Sequence, residues 1–338
     1  MRRTRRGPAK PRWSPRMSFE QLTPDTILST VESACGVRLT GLTMALPSYI
    51  NRVYELRAVD GTKLIVKFYR PGRWIREAVE DEHLFLLDCQ EAELPVVAPV
   101  VLPSGETIAD HDGILFSLFP KRSGRQLEIT ADGDWPRLGS LIGRMHLAGE
   151  KRVAAHRITI DPSRSTFADV NHLCSSVIPE RMRQQFNTAA TKLIDASAPL
   201  FEHIKPIRIH GDCHRGNILN RLDEGLLLID FDDMAMGPPV QDLWLLLPDR
   251  AAQSSHEINL FVEGYERFRE FDRTSLRCIE SLRAMRMIYF LSWCSRQVGD
   301  FVFKRNFPDW GSDLFWQHEI NDLREQLGFV IEAAEQEI

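Results

Sequence analysis

Between residues 53 and 71 the chain reads VYELRAVDGTKLIVKFYRP, two runs of β-branched and aromatic residues joined by Asp60-Gly61. Extended runs around such a turn pair predict a β-hairpin, and Pro71 ends its second strand. The period then changes: IREAVEDEHLFLLDC at 75–89 puts Ile75, Val79 and Leu86 on one face at helical spacing. Ahead of the hairpin, TPDTILSTVES at 23–33 has a Thr cap, a Pro in the first turn and an early acid, which mark a helix start. Two further apolar runs, VVAPVVL at 96–102 and ILFSLFP at 114–120, predict strands that complete a small, mostly antiparallel sheet with one helix. A Gly- and Asp-rich stretch near 124–134 then precedes helical periodicity, with Leu138, Leu141, Ile142 and Met145 on one face. Helices at 165–175, 180–200, 255–270 and 275–297 dominate the remainder, around a single β island at 207–230.

The polar residues that interrupt this pattern are the informative ones. Glu82 falls on the apolar face of the 75–89 helix, whereas Glu80 and Asp81 point away from it. A carboxylate aimed into a core needs a cationic partner, and the candidate is Lys67, set among apolar neighbours in LIVKFY. Within the β island, strands at 218–222 and 226–230 flank the turn Asp223-Glu224-Gly225. Asn217 stands just before the first strand and Asp230 closes the second, so a hairpin makes neighbours of two hard oxygen ligands. With room for water and phosphate, such a pair suits Mg²⁺ rather than zinc.

Composition narrows the class. The chain has 338 residues, 43% of them hydrophobic, and a net charge of −5, enough for a large core and without a global pull toward nucleic acid or an acidic membrane. Residues 1–17 carry seven basic residues, three prolines and no acid, and are expected to be a disordered tail, with Met17 an alternative effective start. Six dispersed cysteines with no CxxC pair suggest reduced thiols rather than a zinc site or a disulfide framework. No apolar run reaches the length of a membrane span, and a cytoplasmic location is expected.

Asp212 lies five residues before Asn217 in HGDCHRGN, the spacing of the protein-kinase catalytic loop, in which the Asp receives the acceptor proton and the Asn holds metal. Ile229-Asp230-Phe231 supplies the Asp-Phe of a D-F-G motif, with Asp232 where the glycine would be. His210-Gly211-Asp212-x-His214-x-x-Asn217 followed by Ile229-Asp230-Phe231 resembles the signature of the aminoglycoside phosphotransferase and choline kinase superfamily. PSYINRVYEL at 47–56, VKFYRPGRW at 66–74, GPPVQDLWLLL at 237–247 and LRAMRMIYFLSW at 282–293 are similar, more narrowly, to the bacterial stress response kinase A family, over nearly the whole chain from Phe19.

That resemblance implies an α+β, two-lobed protein-kinase-like fold. A tail at 1–17 would precede an N-lobe at 18–121, with a small antiparallel sheet and one helix, and a larger, mainly helical C-lobe at 122–338. It implies ATP- and Mg²⁺-dependent phosphorylation of protein Ser and Thr hydroxyls. Asp212 and Asp230 are then catalytic, Asn217 and Asp230 hold Mg²⁺, and Ser48, Lys67 and Glu82 serve ATP. LPSYINRV lacks the glycines of a phosphate-cradling loop, so the Ser48 hydroxyl and the Asn51 amide are the candidate substitutes. The expected partners are ATP and protein substrates, with no membrane or nucleic acid, and the expected state is a monomer.

Other readings stay open. A small-molecule kinase shares the core motif, and a nucleotide-binding pseudokinase scaffold is the third possibility. His210, His214 and Cys213 read as loop supports rather than as metal ligands or a nucleophile. Asp242 is either the N-cap of a helix at 243–247 or a buried carboxylate bracing the loop backbone. Arg283 and Arg286 read as an intraprotein salt-bridge face, or as a binder of acidic peptide or phosphate. No Ser, Thr or Tyr occurs from 231 to 253, so no switch by activation-loop phosphorylation is expected.

Overall fold

The computed structural model describes residues 19–48, 50–299 and 301–335. The reading of residues 1–17 as a basic tail lies outside them. The chain divides into two compact units: one holds the residues up to Arg125 together with Arg221–Asp223, the other Gln126–Asn220 and the residues from Glu224 on.

The first unit opens with α1 (Pro24–Cys35), whose first turn is capped by the Thr23 hydroxyl accepting from the Thr26 N–H at 3.2 Å. Its strands are β1 (Leu39–Leu46), β2 (Arg52–Ala58) and β3 (Lys63–Phe68); α2 (Arg76–Glu91) follows, then β4 (Ala109–His111) and β5 (Ile114–Pro120). They form one antiparallel sheet in the order β1-β2-β3-β5-β4. Leu56, Val66, Phe68, Phe116 and Leu118 from its inner face pack with Ile27 and Val31 of α1. Among its described residues the first unit carries α1 in addition to α2.

Three expectations change here. Residues 96–102 form no strand of the sheet: Pro95, Pro99 and Pro103 punctuate the run, and each lacks the N–H that a ladder needs. Leu102 still joins the core and Val100 packs against it, so the apolar pattern is real but marks buried irregular chain. The remaining strands are instead β1, mostly exposed and interrupted by an irregularity between Leu39 and Thr43, and the three-residue β4. The two-residue hairpin turn is Asp112-Gly113, with φ of 49° and 85°, joining β4 to β5; the loop at Asp60-Gly61 is longer, since Arg57 pairs with Lys63. Finally, Ile75 is exposed at the N-cap of α2, while Ala78, Val79, Phe85 and Leu86 are buried.

A three-stranded sheet has β6 (Arg125–Gln126), β8 (Ile218–Arg221) and β9 (Gly225–Leu228) in the order β6-β8-β9; all of it but Arg125 and Arg221 belongs to the second unit. A separate pair is β7 (Ile207–Ile209) with β10 (Ala235–Gly237). The helices are α3 (Asp134–Gly149), α4 (Phe167–Ser176), α5 (Glu180–Phe201), α6 (Gln241–Trp244), α7 (Ser255–Tyr265), α8 (Ile279–Ser295), α9 (Phe301–Asn306) and α10 (Asp313–Glu335). Leu138, Leu141, Ile142 and Met145 of α3 are buried together, as their spacing predicts. α3 and α7 meet backbone to backbone: a Cβ at Gly139 would run into Phe261 O, and one at Gly264 into Pro136 O. Phe186, Leu193, Ile288, Leu291, Trp316 and Ile320 form the core among α5, α8 and α10. α7 stops at Tyr265, short of 270, and α8 begins at Ile279 after a tighter turn over Arg273–Cys278.

Candidate active site

In the first unit, Lys67 on β3 and Glu82 on α2 approach to 3.8 Å, with side chains 9% and 2% exposed. The helical spacing that turns Glu82 inward and the apolar flanks that carry Lys67 inward thus bring together two charges the core could not hold singly. The Lys67 ammonium also lies 5.2 Å from the centre of the Tyr69 ring. Ser48 is exposed in the loop after β1. Asn51 is buried, and its Oδ1 accepts from the Arg70 N–H at 3.0 Å, which braces that loop against the end of β3.

In the second unit, β7 delivers the chain into the loop 210–217. Gly211 has φ of 81°, and a Cβ there would strike Asp233 O, so this corner requires glycine. Asp242, fully buried in α6, resolves its two readings in favour of the brace. It sits inside the helix, its Oδ2 accepts from the His210 N–H at 2.7 Å and its Oδ1 from the Gly211 N–H at 2.9 Å. Gln241 Nε2 donates to Gly211 O at 3.0 Å. Behind Asp242, His146 Nε2 donates to its Oδ2 at 3.0 Å, and His146 Nδ1 receives the Tyr265 hydroxyl at 2.9 Å. Arg269 donates to the same hydroxyl at 2.9 Å. Burial lowers the His146 pKa, more than the Asp242 carboxylate raises it, and burial raises that of Tyr265.

The two loop histidines have distinct support roles. His210 is buried, its Nε2 donates to Ile229 O at 2.9 Å and its ring lies 4.5 Å from that of Phe231. His214 Nδ1 accepts from the Gly216 N–H at 2.9 Å, which leaves Nε2 as the donor that faces Asp212 Oδ2 at 3.4 Å. Cys213 is buried, and burial, then Asp242 and Asp212, push its thiol well above the usual range, so it is not a poised nucleophile.

Asp212 and Asn217 are brought together. Asn217 Nδ2 donates to Asp212 O at 3.0 Å and lies 3.4 Å from Asp212 Oδ2, so the amide nitrogen is the end that points to Asp212. Across the β8–β9 hairpin, the Ile229 N–H donates to Asn217 O at 3.0 Å, which sets Asp230 beside Asn217 in the backbone. Asp230 is exposed and holds φ 60° and ψ 67°, a left-handed conformation uncommon outside glycine and best tolerated among other residues by Asp and Asn. Asn217 Oδ1 and the Asp230 carboxylate are hard donors that fit Mg²⁺ completed by phosphate and water. Among the described residues no group of three or more His, Cys, Asp or Glu could by itself hold a metal.

Arg286 on α8 has a partner that local sequence patterns do not reveal. Its Nη2 donates to Asp212 Oδ1 at 2.7 Å. Burial works against the Asp212 charge, but His214 and Arg286 outweigh it and hold the carboxyl well below the usual carboxylate range. One turn away, Tyr289 donates to Asp233 Oδ1 at 3.2 Å, while Arg283 lies 3.5 Å from Glu280 and 5.0 Å from the Trp244 ring. The salt-bridge reading of the two arginines is therefore correct, with one partner being Asp212 itself.

Residues 44–278 match the phosphotransferase enzyme family. Stress response kinase A of Escherichia coli strain K12 is 38% identical over 316 residues, 91% of this chain and 94% of that protein. Serine/threonine protein kinase RdoA of Salmonella typhimurium is 36% identical over the same shares. Among solved structures, amicoumacin kinase hAmiN in complex with AMP-PNP, Ca²⁺ and Ami superposes with a TM-score of 0.70 at 16% identity, covering 90% of this chain and 92% of that one. The microcompartment-associated aminopropanol kinase gives 0.63 at 16% identity, covering 92% and 96%.

Proposed function

The chain belongs to the phosphotransferase enzyme family and is a kinase, and from that premise we propose that it transfers the γ-phosphoryl group of ATP, with Mg²⁺, to Ser and Thr hydroxyls of proteins. The observation that carries this reading is the 210–217 loop, where a carboxylate at Asp212 sits with Asn217, and Asn217 sits with Asp230 across a hairpin. Phosphoryl transfer asks little covalent chemistry of a protein, chiefly an oriented nucleophile and a charge clamp on the phosphates. Asp212 would orient the acceptor hydroxyl and accept its proton at a carboxylate oxygen. Asn217 Oδ1 and Asp230 would hold Mg²⁺, which supplies charge neutralisation on the phosphate oxygens when bound. Lys67, held in place beside Glu82, would hold phosphate oxygens of ATP, and Ser48 would contact the nucleotide.

Protein as the acceptor is supported by the relatives named as stress response and serine/threonine protein kinases, at 36–38% identity over 91% of the chain. The structural relatives named for small-molecule acceptors share the fold at 16% identity, and a fold does not carry an acceptor. The absence of Ser, Thr and Tyr between 231 and 253 supports an enzyme that is not switched by hydroxyl phosphorylation there.

The test is transfer of labelled γ-phosphate from ATP and Mg²⁺ in the presence of a protein mixture, a metabolite panel, or no acceptor. Label on protein Ser or Thr is the expected result. Label on a metabolite alone transfers the assignment to a small-molecule kinase, and label on neither points to a nucleotide-binding scaffold. Asp230→Ala should lose metal-dependent ATP affinity, read by nucleotide titration with and without Mg²⁺.

A further inference from the structure

The arrangement around Asp212 says what kind of acceptor can approach it. Its Oδ2 already faces two donors, His214 Nε2 and Asn217 Nδ2, both at 3.4 Å. Its Oδ1 has one, Arg286 Nη2, at 2.7 Å. His214 is tied back through its own ring to the Gly216 N–H, and Asn217 through Nδ2 to Asp212 O. Among the described residues, the polar partner of Arg286 is this carboxylate, met at the end of a long side chain that is 39% exposed. A hydroxyl that gives its proton to Asp212 therefore has two routes. It takes the second lone pair of Oδ1, beside the guanidinium, or it displaces the guanidinium, which then needs another anion. By either route the group flanking the hydroxyl meets Arg286.

The surroundings of that guanidinium are not acidic on its own helix. The single acid of α8 is Glu280, which is committed to Arg250 at 2.6 Å and lies 3.5 Å from Arg283. On the facing loop, Asp233 receives the Tyr289 hydroxyl and the Asp232 side chain is buried. An amine-bearing acceptor would bring a like charge to Arg286, whereas a carboxylate or phosphate would find a planar fork shaped for it.

We propose that Arg286 is an acceptor-selecting residue that recognises an anionic group flanking the acceptor hydroxyl. Resting on the protein-kinase reading above, this means a Ser or Thr within an acidic peptide. Arginine rather than lysine suits the task, because its fork can hold Asp212 and a second oxyanion in one plane.

Two fluorescent peptides test it, one with a serine between two runs of three glutamates and a twin with lysines in their place. Anisotropy gives their affinities and labelled ATP gives kcat/KM. The wild type should favour the acidic peptide by about tenfold or more, Arg286→Gln should bring the two within about twofold, and Arg286→Glu should invert the order. Arg286→Lys should retain part of the preference, which separates loss of the charge from loss of the fold. Equal binding of both peptides by the wild type, or a preference that survives in Arg286→Gln, overturns the assignment. A parallel arm offers a phosphorylated polyol and an amino alcohol. Transfer to the polyol alone, with the choice erased in Arg286→Gln, keeps Arg286 as the anion reader and removes the protein-kinase reading. Transfer to the amino alcohol alone overturns both.

Discussion

The two sides of the 210–217 loop are built on opposite principles. On the inner side, Asp242 and His146 are fully buried, and every donor there meets an acceptor: Arg269 to Tyr265, Tyr265 to His146, His146 to Asp242, and two loop N–H groups to Asp242. On the outer side, Asp212 is 20% exposed, Arg286 39% and His214 42%, and Asp230 is exposed. A buried network that is fully satisfied holds one geometry, because each change strands a polar group. An exposed set of long side chains can exchange partners at little cost. The difference teaches that the loop backbone is fixed from behind while the side chains of Asp212, Arg286 and His214 in front can exchange partners, which is what the proposed transfer would ask of them.

The sharpest way to break that comparison is to remove one carboxylate from each side. Asp212→Asn should lower transfer by about a thousandfold, the scale of a lost general base. Its stability should fall by about 1–2 kcal/mol, less than on the inner side, because it loses the partly solvated pairs with Arg286 and His214 that hold its carboxyl below the usual range. Rate assays beside urea unfolding check both halves, and a variant that keeps its activity would remove Asp212 from the chemistry.

Asp242→Ala should behave in the opposite way. It strands His146 Nε2 and the His210 and Gly211 N–H groups in a dry interior, and the expected loss is about 3 kcal/mol of stability. Activity should fall with it even where the protein remains folded, since the loop loses its anchor. Gly211→Ala attacks the same brace by sterics, through a left-handed φ of 81° and a Cβ directed at Asp233 O. About 2 kcal/mol is expected there. If either variant unfolds at the wild-type urea concentration, the inner side is not the anchor.

How much of this is legible in the sequence follows the same division. Asp212 with Asn217 and Asp230 are set by one turn and one hairpin, so spacing makes them neighbours, and Lys67 with Glu82 are legible because a carboxylate on an apolar helix face needs a cation. The inner network is not local: Asp242 reaches the loop from 32 residues away, and Tyr265 reaches His146 across 119. Arg286 reaches Asp212 across 74. Those partners are chosen by helix packing, which leaves no short motif, although the buried-carboxylate reading of Asp242 is available because QDLW sits in an apolar run. In the first unit the error has another cause: apolarity at 96–102 reports burial truthfully, but three prolines deny it the ladder that would make it a strand.

The smallest effect is in the pH dependence of the inner side, and its sign is fixed by burial. The His146 imidazole has its pKa lowered from the ordinary value of 6.5, burial outweighing the Asp242 carboxylate. An unfolded chain then binds a proton near pH 6.5 that the folded chain does not, so the contribution is complete above that pH and falls as the pH drops below it. One proton sets an upper slope of about 1.4 kcal/mol per pH unit. Urea unfolding of the wild type from pH 7.5 to 5.5 should show this slope in excess of that of His146→Gln. The glutamine can still give one N–H to Asp242 but cannot take up a proton. Because Tyr265 donates to Nδ1, protonation there would set two donors against each other, and the loop held by Asp242 should loosen before the unit unfolds. Transfer activity should therefore decline in acid ahead of global unfolding in the wild type, and the two should coincide in His146→Gln. Parallel profiles in the two proteins would mean that the inner network is packing alone and does not set the geometry of the loop in front of it.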